Sequence, residues 1–110
     1  MKIVNRGYII LKHRSAYFEW ANQYMEVELS EEDNAEQSLY LIEEEFMEIE
    51  PVIEKNFKKI FRQELTMIND DEDAWPEKLT FELFEEWFSF DYGAVVFDVE
   101  KSDLKREKID

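Results

Sequence analysis

The sequence predicts an α+β domain, a single two-layer unit with about three strands and three helices in the order β-α-β-α-α-β. Three observations lead there. Short runs of apolar residues near both ends and around residue 40 have the two-residue alternation of strands. Aromatic and aliphatic residues recur at helical spacing over 15–25, 51–68 and 80–92. Hydrophobic residues make up 45% of the 110 positions, which supplies a core and separates the chain from disordered acidic tails. One domain of this size is expected to fold to roughly 6,500 Å² of surface.

The first strand is expected from Ile3 to Lys12, with Val4, Tyr8 and Ile10 on one side and Ile3, Ile9 and Leu11 on the other. Ser15 suits a helix N-cap, and Tyr17, Trp20, Ala21, Tyr24 and Met25 then fall on one helical stripe. Residues 26–37 read as an acidic polar loop with a short helical turn, followed by a strand over 38–43 in which Leu39 and Leu41 oppose Tyr40 and Ile42. Pro51 fits the first turn of a long helix to about Ile68, because its missing amide hydrogen is unpaired there in any case. On that helix Ile53, Phe57, Ile60, Phe61, Leu65, Met67 and Ile68 fill an apolar arc, and Lys55, Lys58, Lys59 and Arg62 lie opposite or at its edges. Trp75-Pro76 forces an extended approach to a helix lined by Phe81, Phe84, Trp87 and Phe88, which is expected to end near Tyr92-Gly93. Residues 94–100 form the last expected strand, with Val95, Phe97 and Val99 inward. Residues 1–100 are thus read as one domain and 101–110 as a charged, frayed tail.

Composition excludes several kinds of chemistry. Without cysteine there are no disulfides or thiolate sites, and with His13 alone a two-histidine metal centre fails on ligand count. Gly7 and Gly93 lie too far apart for a phosphate-binding glycine loop, so no cofactor is expected. The formal charge of −15 opposes nucleic acid, no run approaches the ~18 apolar residues of a membrane span, and nothing marks the chain for export. These features point to a protein of the bacterial cytoplasm. Charge also falls in blocks. Lys2, Arg6, Lys12 and Arg14 precede a stretch without any base from 15 to 54, and Lys55, Lys58, Lys59 and Arg62 form a basic island before a second acidic stretch. Neutralisation of one block by another in three dimensions is the simplest expectation.

Ala16-Tyr17-Phe18 followed by Trp20-Ala21-Asn22, then Tyr40-Leu41-Ile42, Ile60-Phe61 with Glu64-Leu65, Trp75-Pro76, Phe81 with Phe84 and Trp87-Phe88, and Val95-Val96-Phe97-Asp98 together resemble a family of small acidic bacterial proteins of unknown function. The likeness runs over roughly residues 3–100. It implies the architecture and the compartment, and it transfers no activity, substrate or catalytic residue.

Four candidate sites emerge. Glu64 points into the apolar arc of its helix, and a carboxylate there must be paired, hydrogen-bonded or protonated. His13 or Arg14 could partner it, and with Tyr8 or Tyr17 nearby Glu64 and His13 could form an acid/base pair; a structural ion pair is the plainer reading. Asn69–Asp73 lies between helices, with Asp71 and Asp73 at positions three and five of a calcium loop. Ala74, Pro76 and Thr80 then stand at positions six, eight and twelve, where the motif fails, leaving at most a weak divalent site. Tyr8, Ile10, Tyr40, Ile42 and Val96 are expected on the sheet face away from the helices, as an interface for a partner protein or a second copy. Glu82, Glu85 and Glu86 are expected to steer a basic partner. The resulting expectation is a non-enzymatic protein-binding module, with a small acid/base enzyme as the alternative.

Overall fold

The computed structural model describes residues 1–30 and 37–109. The part of the expected loop from 31 to 36 lies outside the described residues, as does Asp110. The class is α+β, and the described residues form three α-helices and five strands arranged in two small antiparallel sheets. Strands β1 (Lys2–Val4) and β2 (Gly7–His13) are followed by helix α1 (Ser15–Ala21), strand β3 (Ser38–Ile42) and helix α2 (Ile49–Ile68). A turn of 3₁₀ helix at Glu72–Ala74 leads to α3 (Phe81–Trp87), β4 (Phe88–Gly93) and β5 (Val96–Asp98). The larger sheet has the order β3-β2-β4, and the smaller is a ribbon of β1 and β5.

This corrects the single three-stranded sheet and its element order in two places. The expected first strand breaks at Asn5-Arg6, where the amide of Arg6 bonds back to the carbonyl of Val4 at 2.9 Å. Pairing runs Val4 to Val96 on one side of the break and Tyr8 to Gly93 on the other. Three residues therefore face two across the break, the signature of a bulge that bends the ribbon away from the sheet. The second correction is β4, which was expected to continue the preceding helix. Here α3 ends at Trp87 because Arg14 takes its last carbonyls: the Arg14 amide bonds to the Trp87 carbonyl at 2.9 Å and its guanidinium to that of Glu85 at 2.8 Å. The chain leaves extended, and Phe88, Phe90 and Tyr92 alternate with Ser89, Asp91 and Gly93 against β2.

The core is one cluster between the three-stranded sheet and the helices. Ile9 and Leu11 of the central strand are fully enclosed, and Phe61 of α2, Phe84 of α3 and Phe88 of β4 meet at their centre with ring centroids 5.1–5.9 Å apart. Most of the expected helical stripes are confirmed as core, but Met67 and Tyr24 are exposed. Tyr24 is exposed because α1 stops at Ala21, where Asn22 turns the chain with paired bonds to the Leu29 backbone at 2.7 and 2.8 Å. Ser15 is the first helical residue and Arg14 stands at the cap position.

The accessible surface is 8426 Å², well above the roughly 6,500 Å² expected for a compact domain of this mass. The longest dimension is 42 Å against 30 and 29 Å for the others. No helix among the described residues is long and apolar enough to cross a membrane. The charge blocks do interleave: Lys12 meets Asp91 at 2.7 Å, Arg62 meets Glu72 at 3.0 Å and Lys55 approaches Glu43 at 3.9 Å. All of these pairs are exposed and each contributes little to stability.

At Gly7, beside the bulge, the loop after β3 and strand β4 both crowd the backbone. A Cβ there would lie 2.8 Å from the Phe46 ring and 3.0 Å from the Gly93 carbonyl. Gly7→Ala is therefore expected to cost about 1–3 kcal/mol by overpacking, read as a lower urea midpoint at unchanged slope.

Candidate functional site

Glu64 lies about one turn before the end of α2, on the same stripe as Ile60, Phe61 and Leu65, so helical geometry directs it into the core. It is fully enclosed and is the buried charged residue of the described core. Its environment is assembled from three other elements. His13, the last residue of β2, places Nε2 at 2.5 Å from one carboxylate oxygen. The Tyr40 hydroxyl of β3 donates a short hydrogen bond to the other oxygen. A further side-chain hydrogen bond comes from Ser38. Tyr17 of α1 stacks on the His13 ring at 4.3 Å, and Phe18 and Phe88 meet the ring edge-on. No buried side-chain nitrogen or oxygen among the described residues lacks a hydrogen-bond partner.

Burial is the largest influence on the Glu64 carboxyl and opposes its ionisation. The hydrogen bonds from His13, Tyr40 and Ser38 and the charge of His13 together outweigh it, holding the carboxyl below the usual range. Burial pushes the Tyr40 hydroxyl well above its ordinary value, reinforced by its bond to Glu64 and by the carboxylate charge. The same two causes, burial first and then the Glu64 charge, raise Tyr17. The stable arrangement at neutral pH is thus an ionised Glu64 between protonated tyrosines. Both oxygens of Glu64 are engaged and the residue is fully enclosed, so the arrangement supports structure more readily than proton transfer to a ligand.

The sequence brings Glu64 to His13 as expected, and Tyr17 lies beside them. Tyr8 does not, because it occupies the opposite face of the sheet and lies across Gly93. Arg14 is diverted to α3. Tyr40 was expected on the outer sheet face with Tyr8, Ile10 and Ile42, and the register corrects this grouping. Ile9 pairs with Tyr40 and Gly7 with Ile42, so Tyr40 and Ile42 share the helix-covered face and Ile42 is buried. Tyr8 and Ile10 instead share the outer face with Leu41 and Leu39. Val96 lies in the ribbon and not in the three-stranded sheet. Leu39-Tyr40-Leu41-Ile42 is apolar on both sides, so periodicity could not tell which parity faces inward. The useful signal was that of these residues only Tyr40 could satisfy a buried carboxylate.

The acidic loop after α2 is built from its own turns. Asn69 accepts from the Asp71 amide, and Asp71 from the Asp73 amide, each at 3.0 Å. Two indoles tie the loop down, Trp20 to the Ala74 carbonyl at 2.8 Å and Trp75 to the Asn69 carbonyl at 2.7 Å. Among the described residues no group of three or more histidine or acidic side chains is placed to hold a metal ion. Glu82, Glu85 and Glu86 are all exposed on α3 and take part in no ion pair among the described residues. No known protein family, curated protein or solved structure matches the chain.

Truncation of Glu64 to Ala leaves His13 and Tyr40 without their partner inside the core, and is expected to cost about 3–5 kcal/mol in urea unfolding. Replacing the whole cluster with apolar groups of similar shape, His13→Phe, Tyr40→Phe and Glu64→Leu together, is expected to be neutral or stabilising in the same assay. The depressed Glu64 carboxyl stabilises the fold above about pH 4.5, its ordinary value, and that contribution is lost as the pH falls through the native value. The raised tyrosines act at the other end: their contribution is whole below about pH 10 and is lost as the pH rises further. A plot of melting temperature against pH is expected to fall at both ends, with a shallower acid limb in Glu64→Gln and a shallower alkaline limb in Tyr40→Phe.

Proposed function

We propose that this chain acts by binding another protein and not by catalysis, through the face of the three-stranded sheet that the helices leave bare. One observation carries the reading. Leu39 and Leu41 are 55% and 50% exposed on that face, beside the half-buried Tyr8 and Ile10, so a two-strand strip of apolar side chains stands open to solvent. The net charge of −15 and the exposed Glu82, Glu85 and Glu86 favour a basic partner, drawn in by the field and held by the apolar strip. The resemblance to small acidic proteins of the bacterial cytoplasm is in keeping with such a role and adds no activity.

The rival reading is a small enzyme using Glu64 and His13 as acid and base. It is favoured by their direct contact at 2.5 Å and opposed by the complete enclosure of Glu64.

Capture from an extract of the source cells, followed by mass spectrometry, separates the two. The wild-type chain is expected to retain a basic protein that the folded double variant Leu39→Lys, Leu41→Lys does not, with retention weakened by about 0.5 M salt. Glu64→Gln is expected to retain it fully. Equal capture by wild type and the double variant defeats the proposal, and loss on Glu64→Gln alone favours the enzyme.

A further inference from the structure

The three-stranded sheet ends in two edges that are built differently. β4, at one edge, carries Asp91, which Lys12 holds at 2.7 Å. The ribbon of β1 and β5 leaves Ile3 and Phe97 exposed, but it too carries charge along its length, in Lys2 and Asp98. β3 forms the other edge of the sheet and, among the described residues, pairs with β2 alone. Its residues, Ser38–Ile42, include no charge, no proline and no glycine, and their register against β2 runs without a bulge. An edge strand turns part of its backbone N–H and C=O groups away from its neighbour, and proteins guard such edges with charged side chains, proline or bulges. β3 has none of these guards. It is also fixed from within, since Tyr40 and Ser38 bond to Glu64 and Ile42 is buried. A strand already held in extended form can accept another strand without the cost of ordering itself.

We propose that β3 is a docking edge at which a partner protein adds an extended, cationic segment as a further strand. The proposal rests on the partner-binding reading above and specifies how that contact is made. Main-chain hydrogen bonds along β3 hold the added strand, and Leu39 and Leu41 receive its side chains on the outer face. The flanks of β3 select the occupant. Beyond Ile42 the chain continues as Glu43, Glu44 and Glu45, all exposed, and Glu31, Glu32, Asp33 and Glu36 precede the strand in sequence. Lys55 approaches Glu43 at 3.9 Å, which leaves the following flank acidic. Lysine or arginine side chains on an added strand meet opposite charge there. An acidic segment, or the β3 of a second copy with the same flanks, meets like charge. The segment that fits is therefore apolar at alternate positions, to lie beside Leu39 and Leu41, and basic between them.

Calorimetric titration of the full chain with three capped synthetic peptides of about eight residues tests this. The first alternates lysine and valine. The second is the same peptide N-methylated at successive residues, so that neither of its edges can donate, and the third has glutamate in place of lysine. The first is expected to bind and to slow hydrogen exchange at the β3 amides, and the other two are expected to bind at least about tenfold more weakly. Leu39→Lys, Leu41→Lys is expected to weaken the first peptide by about tenfold or more. Glu44→Lys, Glu45→Lys, at exposed positions outside the core, is expected to weaken it through charge, and it decides the matter if the first variant fails to fold. Equal binding of the N-methylated peptide overturns the docking edge and leaves the bare sheet face as the contact, so the reading above survives that result. Undiminished binding by a folded Leu39→Lys, Leu41→Lys defeats that reading and the docking edge together. No binding of the lysine–valine peptide at about 1 mM overturns the docking edge as well.

Discussion

A carboxylate carried into a hydrophobic core on a helix must find donors there, because a buried charge left alone costs several kcal/mol. Glu64 is that carboxylate, and the way it is satisfied organises much of the domain. His13 reaches it from the end of the central strand, Tyr40 and Ser38 from an edge strand, and Tyr17 closes the histidine from the first helix. The cluster thereby ties four elements to one point. It also selects a register: a slip of β3 by one residue would turn Tyr40 to solvent and bring Leu39 or Leu41 against the carboxylate. Buried polar groups of this kind need not add net stability, since apolar replacements of similar shape can do as well. Here the cluster is matched to the β3 register that turns Tyr40 inward.

The same constraint separates the two kinds of acid in this chain. Glu64 is enclosed with its oxygens engaged, while the exposed acids face water and set the long-range field. What remains open to a partner is apolar: the outer strip of Leu39 and Leu41 on the sheet, and the ribbon face of Ile3 and Phe97. Both patches lie apart from the enclosed carboxylate. The C-terminal residues 99–109 are all exposed and add to the accessible surface.

Much of this architecture was legible from residue spacing. Helix α2 follows from its apolar arc and from Pro51 in its first turn, and the need of Glu64 for a partner follows from its place on that arc. His13 was a partner within reach by type and position. The strand β4 was hidden because Phe81, Phe84, Trp87 and Phe88 suit a helix and no glycine or proline interrupts them. A closer pattern was present, since Phe88, Phe90 and Tyr92 alternate with polar or small residues. What ends α3 is Arg14, some seventy residues earlier in the chain, and no local rule contains that hydrogen bond.

By itself the sequence determined the α+β class, the apolar stripes of the three helices, the absence of thiolate and multi-histidine chemistry, and a buried carboxylate that demands donors. These follow from composition and from periodicities of two and 3.6 residues, which are local properties. Tertiary structure alone decided which side of β3 faces inward, where α3 gives way to β4, and that the first strand breaks to form a separate ribbon with β5. Each of those outcomes rests on hydrogen bonds between residues far apart in the chain. In each case the local pattern permitted two answers, and long-range pairing chose between them.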